Sequence, residues 1–211
     1  SYDMLGEAAL TADDARRYLA AYHAAIKAIG AKAHVPHGAP VMQRPGISVK
    51  LSALHPRYEF AKAERVRAEL APLLVELARA ARRENIGLTV DAEEADRLEL
   101  SLDLFEAAYR DESLSGWDGF GLAVQAFQKR AVPVIQWLEA LGRAVARRIP
   151  VRLVKGAYWD TEVKRSQEQG LPGYPVFTRK VSTDVSYLAC ARRLLAARDV
   201  FYPQFATHNA H

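Results

Sequence analysis

The sequence predicts an α/β protein in which a parallel sheet is covered by helices. Short apolar runs of strand length alternate along the chain with long amphipathic segments of helical period, a pattern that implies right-handed parallel crossovers. The apolar runs also end in polar or charged residues, as strands do when their carboxyl ends meet at one face of such a fold. No internal repeat, low-complexity segment or linker divides the chain.

Taken in order, Ser1 to Leu5 is the first strand candidate. Thr11 is placed as an N-cap, with Asp13 and Asp14 in the turn that follows. The stretch Ala12 to Ile29 carries Tyr18, Leu19, Tyr22, Ile26 and Ile29 at helical spacing, and Gly30 is the expected C-cap. Residues 31 to 45, with Pro36, Pro40 and Pro45, read as a loop. Gly46 to Leu51 reads as a strand. Ala61 to Glu84 reads as a helical region that Pro72 should kink or restart. Then follow strand Gly87 to Asp91, helix Arg97 to Tyr109, strand Gly119 to Ala126, helix Val132 to Arg148 and strand Pro150 to Val154. Trp159 to Gly173 reads as a polar connection, Thr183 to Ala197 as a helix and Val200 to Ala206 as the last strand.

Composition excludes several classes. The chain has 211 residues, 50% hydrophobic and 26% charged, with a net charge of +4, which fits one globular domain and excludes a disordered chain. The basic clusters Arg82-Arg83 and Arg143 to Arg148 are interleaved with acids and lack an aromatic stacking platform, so they read as solvated helix faces rather than a nucleic-acid surface. The single cysteine, Cys190, reads as a small apolar core residue and points to a reducing cytoplasm. There is no run long enough to span a membrane and no signal peptide. The chain opens Ser1-Tyr2-Asp3 without an initiator Met and is read as a piece of a longer or engineered polypeptide.

The candidate site lies at the strand ends: Asp3 and Glu7, Lys50 and Ser52, Asp91 with Glu93 and Glu94, Gln125, Arg152 to Lys155, and Thr207-His208-Asn209. Charged groups are costly to bury unless paired, so these endings call for a shared explanation. In a barrel, Lys50, Asp91, Gln125, Arg152, Lys155 and His208 would line one polar site. Gly116, Gly119 and Gly121 lack the spacing of a dinucleotide fingerprint. Lys155-Gly156 and Thr178-Arg179-Lys180 have the residue types that bind phosphate. His208 and His211 are suitably spaced for a metal, but no HExxH motif or cysteine partner accompanies them, and no metal is expected. His23, His34, His37 and His55 read as structural or surface residues.

Several long strings resemble a known family. They are Tyr2 to Leu10 (YDMLGEAAL), Lys50 to Tyr58 (KLSALHPRY), Asp91 to Glu94 (DAEE), Gln125 to Arg130 (QAFQKR), Arg152 to Asp160 (RLVKGAYWD) and Pro203 to His211 (PQFATHNAH). Together they resemble the proline dehydrogenase domain of the bacterial bifunctional proline utilisation A flavoenzymes, almost end to end.

The resemblance implies a distorted (β/α)8 TIM-like barrel that binds FAD non-covalently. It implies oxidation of L-proline to Δ1-pyrroline-5-carboxylate by hydride transfer to flavin N5, with electrons passed to a membrane quinone. Carried over, Arg152 lies near N5 and Gln125 bonds the flavin ring system. Lys155, Gly156, Thr178, Arg179, Lys180, Ala206, Thr207, His208 and Asn209 hold the rest of the cofactor. Lys50, Asp91 and Tyr158 lie on the substrate side, Asp91 also touching the cofactor, and with Arg152 they form the catalytic set. A fixed cation at Arg152 suits negative charge developing on a reduced flavin, and Lys50 suits a substrate carboxylate.

By the same resemblance, residues 1–211 are an incomplete barrel domain with about six of the eight strands. The last two strands, the final helix and a pair of carboxylate-clamping arginines would lie beyond it. The parent would carry an aldehyde dehydrogenase domain and in some cases a DNA-binding one. It would sit in the cytoplasm, peripheral to the inner face of the membrane. The residues alone leave other readings open: a Schiff-base lyase or aldolase using Lys50 or Lys155, or a non-catalytic barrel fragment.

Overall fold

Thr11 and Asp14 cap the first helix reciprocally. The Asp14 N–H donates to Thr11 Oγ1 at 3.1 Å and the Thr11 N–H to Asp14 Oδ2 at 3.0 Å. Helix α1 (Ala12–Lys32) then buries Tyr22, Ile26 and Ile29 along one stripe. It does not stop at Gly30. A Cβ there would stand 2.5 Å from Glu84 Oε2, so the glycine permits a close approach rather than a C-cap. These features come from a computed structural model that describes residues 1–4, 8–32 and 39–207. The chain packs as two compact units, Ser1–Leu122 and Ala123–His211. Its strands follow the order β1-β2-β3-β4-β5 in a five-stranded sheet.

In the first unit the expected opening strand is a single parallel bridge between Tyr2 and Ile47. The Tyr2 N–H donates to Gly46 O at 2.7 Å and the Ser48 N–H to Tyr2 O at 2.8 Å. Strand β1 (Gly46–Val49) ends before Leu51, which instead opens the one-turn helix α2 (Leu51–Leu54). Helix α3 (Ala63–Arg83) runs unbroken through Pro72. Strand β2 (Gly87–Val90) and helix α4 (Leu98–Tyr109) follow, and strand β3 (Phe120–Gln125) begins in this unit. The pairs β1–β2 and β2–β3 are parallel, with Val49 opposite Val90 and Val90 opposite Leu122. Phe105 stacks on Tyr109 and Phe120 with centroids 5.5 and 4.8 Å apart, tying α4 to β3.

In the second unit the end of β3 joins strand β4 (Ile149–Val154), with the Ala126 N–H donating to Val154 O at 2.8 Å. Helix α5 (Ala131–Val145) connects them and ends on Ala146 in the left-handed conformation, φ 52°. The segment expected as a polar connection forms helix α6 (Trp159–Glu168). Helix α7 (Lys180–Ala196) leads to strand β5 (Phe201–Phe205), parallel to β4. Among the described residues no helix is long and apolar enough to cross a membrane. The α/β class and the parallel strands are those the alternating pattern predicts.

Candidate functional site

In the first unit the strand register builds the site. Val49 and Val90 are paired, so the residues that follow them, Lys50 and Asp91, leave the sheet side by side. The Asp91 N–H extends the ladder to Val49 O at 2.9 Å. Both side chains are partly buried. Lys50 Nζ lies 3.9 Å from Asp91 Oδ2 and 3.6 Å from Asp3 Oδ1. An ammonium is thereby held at a strand end among carboxylates, an arrangement that can receive a small zwitterion.

Beside this pair stands a second polar group. Glu93 Oε1 accepts the Ser52 N–H at 3.0 Å, and Arg97 Nη1 lies 3.1 Å from Glu93 Oε2 and 3.0 Å from Glu94 Oε2. The Arg97 guanidinium also covers the Tyr58 ring at 5.3 Å. Burial raises the Glu93 carboxyl above its ordinary range, against hydrogen bonds from Ser52 and the charge of Arg97. Burial likewise pushes the Tyr58 phenol well above its ordinary value. Glu93 and Glu94 were visible in the sequence as a strand ending, but nothing there marked Ser52 or Arg97 as their partners.

In the second unit Gln125 is buried, and its Oε1 accepts the Ala157 N–H at 3.0 Å. The Phe127 N–H donates to Lys155 O at 2.7 Å, so the turn after β4 is held from both sides. Gly156 has φ 143°, and a Cβ there would lie 2.4 Å from the Phe127 ring, so only glycine fits. Tyr158 is left-handed at φ 63° and 72% exposed. The αL conformation strains a residue with a side chain. Arg152 stands in β4 opposite Gln204 of β5, between the buried Val151 and Leu153.

Lys155 and Lys180 converge on Asp184, with Nζ 2.5 and 2.8 Å from its two carboxylate oxygens. Hydrogen bonds from Lys155 and then Lys180 hold the Asp184 carboxyl below its ordinary range. Asp184 was missed in the sequence; only its i, i+4 spacing from Lys180 could have suggested it. Thr178, Arg179 and Lys180 are exposed at the N-terminus of the 17-residue helix α7. Their approach is fixed by the Phe177 N–H to Phe127 O at 2.8 Å and the Lys129 N–H to Pro175 O at 3.0 Å. Trp159 Nε1 also donates to Phe177 O at 2.9 Å. A helix N-terminus carrying basic residues fits the diphosphate of a dinucleotide such as FAD.

The Ala206 N–H donates to Leu153 O at 3.0 Å, continuing the β5 pairing, and Thr207 is exposed. Glu7, His34, His37, His208, Asn209 and His211 lie outside the described residues. Thus Lys50 and Asp91 come together in one unit. In the other, Gln125 ends β3 and contacts the turn at Ala157, Lys155 opens that turn, and Arg152 stands within β4. Among the described residues no cluster of three or more His, Cys, Asp or Glu is placed to hold a metal ion.

A family model described as proline dehydrogenase matches residues 1–211. The bifunctional protein PutA of Salmonella typhimurium is 58% identical over all of this chain, and that of Escherichia coli K12 is 57% identical. A solved structure of a proline utilization A variant from Bradyrhizobium japonicum is 61% identical over 100% of this chain, with a TM-score of 0.96. The chain therefore shares the TIM-like barrel fold class of the proline dehydrogenase domain in those structures. It spans 16% of the length of the curated relatives and 21% of the solved chain. The chain belongs to the proline dehydrogenase family.

Proposed function

We propose that this chain is the flavin-binding part of an L-proline dehydrogenase that forms Δ1-pyrroline-5-carboxylate, the first step of proline catabolism. The observation that carries the reading is the Lys50–Asp91 pair at register-matched strand ends, in a chain that the family matches end to end. FAD, when bound, supplies the hydride acceptor. Lys50 pairs with the substrate carboxylate, and Asp91 orients Lys50 and the substrate amine. Tyr158 offers an apolar wall for a small ring. Arg152 is a fixed cation for charge that develops as the substrate is oxidised, requiring little reorganisation.

Gln125 holds the flavin ring system, and Asp91 also touches the cofactor. Lys155, Gly156, Thr178, Arg179, Lys180, Ala206 and Thr207, with His208 and Asn209, hold the remainder. The electrons pass to a membrane quinone, and the parent polypeptide, which carries further domains, works in the cytoplasm at the membrane's inner face. A Schiff-base lyase fits the site less well. Lys155 is engaged by Asp184, and the family match is to a dehydrogenase.

The test is an anaerobic visible spectrum of the purified full-length protein before and after L-proline. A bound flavin that bleaches on addition supports the reading. A flavin that stays oxidised in excess L-proline, or a folded protein that takes up no flavin, overturns it.

A further inference from the structure

Lys50 opens a helix too short to fix its own geometry. Helix α2 has four residues, and its N-cap makes no side-chain capping bond. A single turn carries little cooperative stability, and the first N–H groups of a helix need acceptors from elsewhere. Two side chains from other elements provide them. The Lys50 N–H donates to Tyr22 Oη at 3.1 Å, and the Ser52 N–H to Glu93 Oε1 at 3.0 Å. On the other side, Ser52 O accepts the Ala9 N–H at 2.9 Å.

Tyr22 is fully buried on the core stripe of α1, in line with Ile26 and Ile29. That stripe asks only for an apolar side chain. A phenol oxygen in the core is a cost unless it is hydrogen-bonded, and here it meets the backbone of the residue whose ammonium lies among Asp3 and Asp91. We infer that Tyr22 is a positioning residue for Lys50, with Glu93 as the second anchor of the same turn. Neither acts on the substrate directly; each fixes where the Lys50 stem leaves the backbone. The inference rests on the reading of Lys50 as the cation for the substrate carboxylate.

The experiment compares steady-state kinetics of the flavin-loaded full-length protein and its variants. Tyr22→Phe removes one oxygen and keeps the ring. It should raise KM for L-proline roughly tenfold with kcat held within about twofold, because misplacing a binding group weakens recognition. The preference for L-proline over L-prolinamide, which lacks the carboxylate, should fall by a similar factor. Glu93→Ala should act in the same direction. Glu93→Gln, which retains an acceptor oxygen for the Ser52 N–H, should restore most of the lost affinity. If Tyr22→Phe does not fold, the Glu93 pair decides the question.

A parent protein active on L-proline whose Tyr22→Phe variant keeps both KM and the L-proline to L-prolinamide ratio, whatever its melting temperature, overturns the inference alone. A parent whose flavin L-proline does not reduce overturns the functional reading beneath it.

Discussion

A carboxyl group that loses water on folding favours its neutral form unless its partners compensate. At Glu93 the Ser52 and Arg97 contacts do not fully compensate, and the carboxyl stays raised. The linkage has a definite sign. With a folded pKa above the unfolded one, the stability this group contributes is complete below the unfolded glutamate pKa. It is lost as pH rises through the folded value. Glu93→Gln is neutral throughout, keeps an acceptor for Ser52 and leaves Arg97 its contact with Glu94. The variant should therefore melt higher than the parent at about pH 8, with the gap closing towards about pH 4. Thermal melts at both pH values check this, and a gap that widens on acidification contradicts it. Lys50 and Asp91 were legible in the sequence because each follows directly on a strand, and parallel register does the rest. Tyr22 was not, because its hydroxyl bonds a backbone group 28 residues away while its ring obeys the core pattern.

Elements were legible where burial follows one period. Helix α3 buries Val66, Leu70, Leu74 and Leu77, and that stripe carries it without interruption past a proline expected to kink or restart it. Pro72 lacks a donor for the helical ladder and faces solvent. Pro72→Ala should then raise stability by about 1–2 kcal/mol, the helix-propensity gain less the added freedom of the unfolded chain. Chemical denaturation checks it, and a destabilised variant would mean the proline is required for the path of α3. Helix α6 failed the same reading because only Glu162 and Ser166 are buried in it, both polar, so no apolar stripe announces it. What fixes it is tertiary: Trp159 Nε1 donates to Phe177 O, and the following segment pairs with residues 127 to 129. Leu51 was read as the last residue of the strand because its apolar side chain continues the character of β1, whereas it opens helix α2. Gly30 looked like a helix stop because a glycine near a helix end usually is one, whereas here the constraint comes from Glu84.

On the scale of the whole molecule, half of the chain is hydrophobic, and not all of it is covered. Helix α7 buries Thr183, Cys190 and Leu194 on one side. On another it leaves Val181, Val185, Leu188 and Leu195 exposed at 66, 68, 63 and 47%, spaced along the helix by three or four residues or their sum. A helix apolar on two faces is built to lie between partners, and a contiguous exposed apolar stripe drives association when left in water. Phe205, at the end of β5, is 43% exposed, and among the described residues β5 is the last strand in the sheet order, where edge groups favour further pairing. The net charge of +4 gives only modest repulsion to oppose this. These 211 residues produced alone should therefore self-associate at micromolar concentration and bind a hydrophobic dye. Val185→Glu with Leu188→Lys should shift the population towards monomer without loss of helical circular dichroism. Sedimentation velocity on both proteins decides it. A monomeric, dye-silent parent would show that the α7 stripe is already covered in solution.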